Sequence, residues 1–226
     1  MESNKLKRSQ LLTENKIYRL LKESTGVPNM YYYGNQGNYR AIVLDLMGPS
    51  LKSLLRTCKG HFSLKTILML FNQMLDRVED LHSKSYVHRD LKPANFVIGV
   101  GDQSQTLHLV DFGLAQLYRN PTTNEHVPNE RKEFAGTLVY ASINSVKNLA
   151  QSRCDDLESI GYLLIHFHRG KLPWYDLVAC GPMQKFEKMT ELKLSIPIEK
   201  LCTGLPDEFS YYICGVYKEI LDFTLD

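Results

Sequence analysis

Residues 88–95 read His88-Arg89-Asp90-Leu91-Lys92-Pro93-Ala94-Asn95. Asp111-Phe112-Gly113 follows after two short β-like pieces, Phe96-Val97-Ile98 and Leu107 to Val110. Each segment stands at the end of a strand-like piece, behind a long helical pattern. Singly, every Asp or Asn here reads as a turn former. Together they are a constellation: a carboxylate (Asp90) beside a cation (Lys92), with Asn95 and Asp111 offering the hard oxygens that suit Mg2+.

Composition narrows what can surround this segment. A chain of 226 residues is one large domain or two small ones, long enough to bury a core without disulfides or a structural metal. With 43% hydrophobic residues and a net charge of +2, it is neither a disordered chain nor one built to neutralise nucleic-acid phosphates. Cys58, Cys154, Cys180, Cys202 and Cys214 are scattered and never spaced C-x-x-C, so reduced thiols in the cytoplasm or nucleus are expected. Lys5, Lys7 and Arg8 have no apolar run behind them and are expected as a solvated helix start rather than a secretory signal. No stretch approaches the ~18 apolar residues of a spanning helix. Neither membrane nor nucleic acid is expected as a partner, and oligomeric state stays open.

Periodicity orders the rest. Ser9 to Glu23 is helical, closed by Thr25-Gly26-Val27-Pro28. Met30 to Tyr33 and Tyr39 to Leu46 read as strands of a hairpin around Asn35-Gln36-Gly37-Asn38. Gly48-Pro49-Ser50 breaks the pattern, with Ser50 able to cap a short helix to Thr57. Ser63 to Lys84 is amphipathic, burying Ile67, Leu70, Phe71, Met74 and Leu81. Residues 114–151 carry turn formers, a loop long enough to suggest function. Helices resume over Ser152 to His168, Gly181 to Leu192 and Asp207 to Leu221. Other chemistries fail: His166 and His168 face different sides of a helix, Cys154 has no suitably spaced His, and Tyr31, Tyr32, Tyr33 and Tyr39 suit a half-buried hairpin better than base stacking.

The loop fits H-R-D-L-x-x-x-N and, with D-F-G behind it, resembles the catalytic apparatus of protein kinases. Five further segments narrow the likeness: residues 11–21 (LLTENKIYRLL), Met47-Gly48-Pro49-Ser50-Leu51, Ser63-Leu64-Lys65-Thr66, Tyr140-Ala141-Ser142-Ile143-Asn144 and residues 151–161 (QSRCDDLESIG). They are similar to the casein kinase I family of serine/threonine kinases, and Leu172-Pro173-Trp174 and residues 205–209 extend the resemblance along the chain. It implies an α+β, two-lobed kinase-like fold, with a strand-bearing small lobe over 1–47 and a mainly helical large lobe over 48–226. It also implies ATP and Mg2+ as cofactors, and protein substrates with Ser/Thr in an acidic context. Asp90 would take the proton of the substrate hydroxyl, Lys92 would sit by the γ-phosphate, and Asn95 and Asp111 would hold the metal. Thr137 would contact Asp90 and Lys92, while Arg89 and Asp156 would be structural, Asp156 bracing the loop. Leu44 would be the gatekeeper, with the Asp45 carbonyl and Met47 amide bonding adenine, Val97 flooring its pocket and Val110 beneath the phosphates.

Three departures follow from the same comparison. Val139 replaces an Arg that would partner Lys185 in an anion site, so primed, phosphorylated substrates should bind weakly. Ala94 replaces a common acidic residue, and Gln116 stands where a Lys is usual. A larger gap concerns the nucleotide clamp, which needs a Gly-rich loop and a strand Lys paired to a helical Glu. Glu14 is that Glu by position, but no strand is expected before its helix, no G-x-G-x-x-G lies upstream, and Lys7 shares its helix. A solvated Glu14 is then expected; buried and unpaired, its pKa would rise. The chain reads as truncated at both ends of the domain, with low or no activity of its own. The rival reading is a non-catalytic, pseudokinase-like binding or scaffold protein of the same fold.

Overall fold

The computed structural model describes residues 1–3, 9–128 and 133–223, the last seven by backbone alone. Lys5, Lys7 and Arg8 lie outside the described residues.

The first helix, α1 (Gln10–Leu20), starts where Ser9 caps it by accepting from Leu12 N, and buries Leu11, Ile17 and Tyr18. A strand does precede it, against expectation: β1 (Glu2–Ser3) pairs antiparallel with β3 (Tyr39–Leu44). Two residues are too few to register as periodicity. They are held because Glu2 meets Arg40 of β3 at 3.5 Å and accepts from the Leu11 amide. The hairpin partner β2 (Met30–Gln36) runs further than expected and completes the sheet in the order β1-β3-β2. Gly37, with φ +59, makes the tight turn from Gln36 to Tyr39. Tyr31, Tyr32 and Tyr39 are exposed rather than half-buried.

Beyond Gly48 the chain is mainly helical. Ser50 caps α2 (Leu51–Thr57) and Ser63 caps α3 (Leu64–Ser83), each hydroxyl accepting from the backbone amide three residues on. Of the apolar face expected for α3, Ile67, Leu70, Met74 and Leu81 are buried, while Phe71 is partly buried edge-on to Tyr212. Short ladders follow. β4 (Tyr86–Val87) pairs with β7 (Gln116–Leu117), and β5 (Phe96–Ile98) pairs with β6 (Leu107–Leu109). The stretch 114–151 is therefore not plain loop: besides β7 it holds α4 (Ile143–Val146).

The core is organised by α5 (Arg153–Arg169), where residues 158–167 are buried on every side. It packs against α3 and against α8 (Asp207–Phe223) and ends at Gly170 in the left-handed region. Next come α6 (Pro182–Ser195) and α7 (Ile198–Cys202), the latter too short for the periodicity to reveal. The result is a small strand-rich region followed by a mostly helical body. Among the described residues no helix is long and apolar enough to cross a membrane.

Candidate active site

The loop 88–95 hangs between the two short ladders, and a carboxylate from the core helix anchors it. Asp156 Oδ2 accepts from His88 N at 2.7 Å and from His82 Nε2 at 2.9 Å, while Oδ1 accepts from Arg89 N at 2.9 Å. Burial alone would raise this carboxyl, but the hydrogen bond and charge of His82 and the amide donors hold it below the usual carboxylate range. His88 is fully buried, and burial pushes its imidazole down. Its Nδ1 accepts from Asp90 N at 3.3 Å, so Nε2 carries the proton toward Val110 O, also at 3.3 Å. These bonds hold Arg89 at φ +70, a region that side chains disfavour.

Asp90 itself is buried, with both carboxylate oxygens engaged. Oδ1 accepts from Thr137 Oγ1 at 2.7 Å, and Oδ2 accepts from Lys92 Nζ. Asn95 Nδ2 donates to Asp90 O at 3.0 Å, which leaves the Asn95 amide oxygen as its atom for a cation. Thr137 can come this close because residue 136 is glycine: a Cβ there would stand 2.5 Å from Arg89 O, at φ +108. Asp90, Lys92 and Asn95 of the loop therefore meet Thr137, which the resemblance pointed to and which arrives from 47 positions away.

Asp111 joins them through the backbone. Pairing of Phe96 with Leu109, and the Val110 N to Asn95 O bond at 2.9 Å, set Asp111 just past the ladder end from Asn95. It sits at φ +66, and Phe112 behind it is buried between Tyr18 (5.1 Å) and His88 (5.5 Å). Two oxygen ligands without an all-protein cage suit Mg2+, which keeps waters and shares phosphate ligands. Glu14 lies close by, since a Cβ on Gly113 would stand 3.3 Å from its Oε1. It is half-buried rather than solvated. Desolvation, then the charge of Asp111, pushes its carboxyl up to about 7. Among the described residues it forms no salt bridge, and the positive N-terminus offsets only part of the rise.

The segment that joins β3 to α2 is also formed. Leu44 ends β3, and Val97 pairs with His108 in β5, both half-buried. Asp45 N is bound to Asn29 O, while its side chain takes Asn29 N, Asn29 Nδ2 and Tyr31 Oη. Gly48 N is bound to Ile98 O. Among the described residues no hydrogen bond occupies the Asp45 carbonyl or the Met47 amide. That acceptor–donor pair fits the edge of an adenine ring.

Lys185 is exposed on α6, without an ion-pair partner among the described residues. Val139 is half-buried, its carbonyl taken by Trp174 Nε1 at 2.8 Å. Gln116 Oε1 accepts from Arg89 Nη1. Cys154 has a thiol pushed up to about 12 by burial, no nucleophile at neutral pH.

Sequence reasoning missed several supports. His82 belongs to no motif of the sequence, although it closes the Asp156 brace. Segment 140–144 is fixed by Ser142 Oγ to Asp155 (2.6 Å), Ile143 N to Glu158 (3.0 Å) and buried Lys193 Nζ to Ala141 O (2.5 Å). Lys193 also lies over the rings of Tyr162 and Trp174, at 4.6 and 4.8 Å. Burial pushes Lys193 down and Glu158 up. Glu158 precedes the apolar run that begins at Ile160, and nothing in its local sequence marks it as buried. The chain matches the protein kinase domain family over residues 1–222.

Proposed function

The chain belongs to the protein kinase family, and from that premise we propose a serine/threonine kinase of casein kinase I type, with 1–47 as small lobe and 48–226 as large lobe. The observation that carries the reading is the buried Asp90 carboxylate held between Thr137 Oγ1 and Lys92 Nζ, with Asn95 fixed to its backbone. Phosphoryl transfer asks a protein for positioning and charge stabilisation more than for covalent chemistry. Mg-ATP, when bound, supplies the phosphoryl group and neutralises its developing charge.

The chain's own residues do the rest. Asp90 receives the acceptor hydroxyl and takes its proton as the new O–P bond forms and the bond to the leaving ADP oxygen breaks. Thr137 and Lys92 orient that carboxylate, and Lys92 is placed to face the transferred group. Asn95 and Asp111 hold the metal through amide and carboxylate oxygens. The Asp45 carbonyl and Met47 amide bind adenine, Leu44 and Val97 flank it, and Val110 lies beneath the phosphates. Unpaired thiols at all five cysteines support a reducing compartment, cytoplasm or nucleus.

One observation favours the non-catalytic alternative. Glu14, raised to about 7, has among the described residues no lysine paired to it of the kind that would hold the phosphates. The test is γ-phosphate transfer from Mg-ATP to protein acceptors by the purified chain. Slow transfer, lowered at least about 100-fold by Asp90→Asn, is expected from loss of the proton acceptor. Transfer indifferent to Asp90, or none above background, overturns the catalytic reading.

A further inference from the structure

Beside Lys92 and Thr137 opens a cavity of about 590 Å3. Its floor is apolar, with Leu55, Val139 and Tyr140 among its residues, and its rim carries Lys52 and Arg56 of α2. Among the described residues no carboxylate lines it. Lys52 and Arg56 are one helical turn apart, so they share a face of α2. That face is locked to the loop carrying Asp90, because Lys52 N donates to Pro93 O at 2.9 Å. Both side chains are exposed, and neither makes an ion pair among the described residues. Lys92, the third cation of the lining, is already held by Asp90. Two uncompensated cations thus stand at the mouth of a cavity that begins at the transfer site.

We propose that this cavity is a subsite for a carboxylate side chain of the protein substrate, read by Lys52 and Arg56 while Asp90 holds the acceptor hydroxyl. This rests on the kinase reading and deepens it by locating an anion-reading surface away from Lys185. Charge complementarity selects the occupant: an acidic segment meets two cations, and the nearby Asp90 carboxylate is already paired with Lys92. Carboxylates rather than a phosphate are favoured because one lysine and one arginine on a solvated rim give separate single contacts. A dianion is better served by a converging clamp, and Val139 contributes no charge on the cavity floor.

The test is direct binding, independent of turnover. A fluorescein-labelled peptide with a central serine and three glutamates on each side is titrated by anisotropy, beside its all-glutamine counterpart and a version with phosphoserine replacing the nearest glutamate. Lys52→Glu/Arg56→Glu should weaken the glutamate peptide about 10-fold and leave the glutamine peptide within about 2-fold, as two solvent-exposed ion pairs allow. Lys52→Gln/Arg56→Gln should give a smaller loss of the same sign, which separates recognition from any disturbance of α2. An unchanged glutamate-to-glutamine preference in both variants overturns the subsite. More than about 10-fold tighter binding of the phosphoserine peptide overturns the carboxylate assignment. Charge-dependent binding without phosphate transfer counts against the kinase reading alone, and transfer without charge-dependent binding counts against the subsite alone.

Discussion

Glu14 links a local environment to a measurable property. Its carboxyl is raised from 4.5 to about 7, so the folded chain binds a proton there that the unfolded chain has released between those values. The stabilising share is complete below about pH 4.5 and is lost as pH rises through 7. Glu14→Gln should therefore match the parent in urea unfolding at pH 4.5 and exceed it at pH 8. Destabilisation by the glutamine at pH 8 would show instead that Glu14 is ionised against a cation. Residue types at Asp90, Lys92, Asn95 and Asp111 were legible because their chemistry admits few substitutes and all lie within 24 residues of chain. The state of Glu14 was not legible, since it depends on Gly113 and Asp111 arriving from another element.

At the scale of elements, Asp156 ties α5 to α3 through His82 and to the loop through two amides. Asp156→Ala leaves those buried donors without an acceptor, at a cost of about 3–5 kcal/mol in urea unfolding, because unsatisfied buried groups keep their desolvation penalty. His82→Ala, which removes one donor and spares the amides, should cost visibly less; equal losses would argue against the brace. The long capped helices were readable from Ser-led starts and apolar spacing. β1, α4 and α7 were not, because two to five residues show no period and are held by partners such as Arg40 and Glu158.

For the whole molecule, α5 decides cohesion. Ile160, at 0% exposure, belongs to the buried cluster that α3 and α8 also join. Ile160→Ala should lower unfolding free energy by about 3 kcal/mol through lost transfer and an unfilled cavity. The helical body should still unfold in one transition; two separated transitions would mean its helices do not share a core. The sequence alone determined the order of a strand-bearing start and a helical body, the residues of the Asp90 loop and the lack of a Gly-rich loop in these 226 residues, since motif spacing and periodicity are properties of contiguous chain. Only the tertiary structure decided that Thr137 reaches Asp90, that no hydrogen bond among the described residues occupies the Asp45 carbonyl or the Met47 amide, that Glu14 is desolvated, and that Lys52 and Arg56 share a cavity with Lys92 and Thr137. Each depends on groups from distant parts of the chain sharing one low-dielectric space or one surface, and packing alone sets those distances.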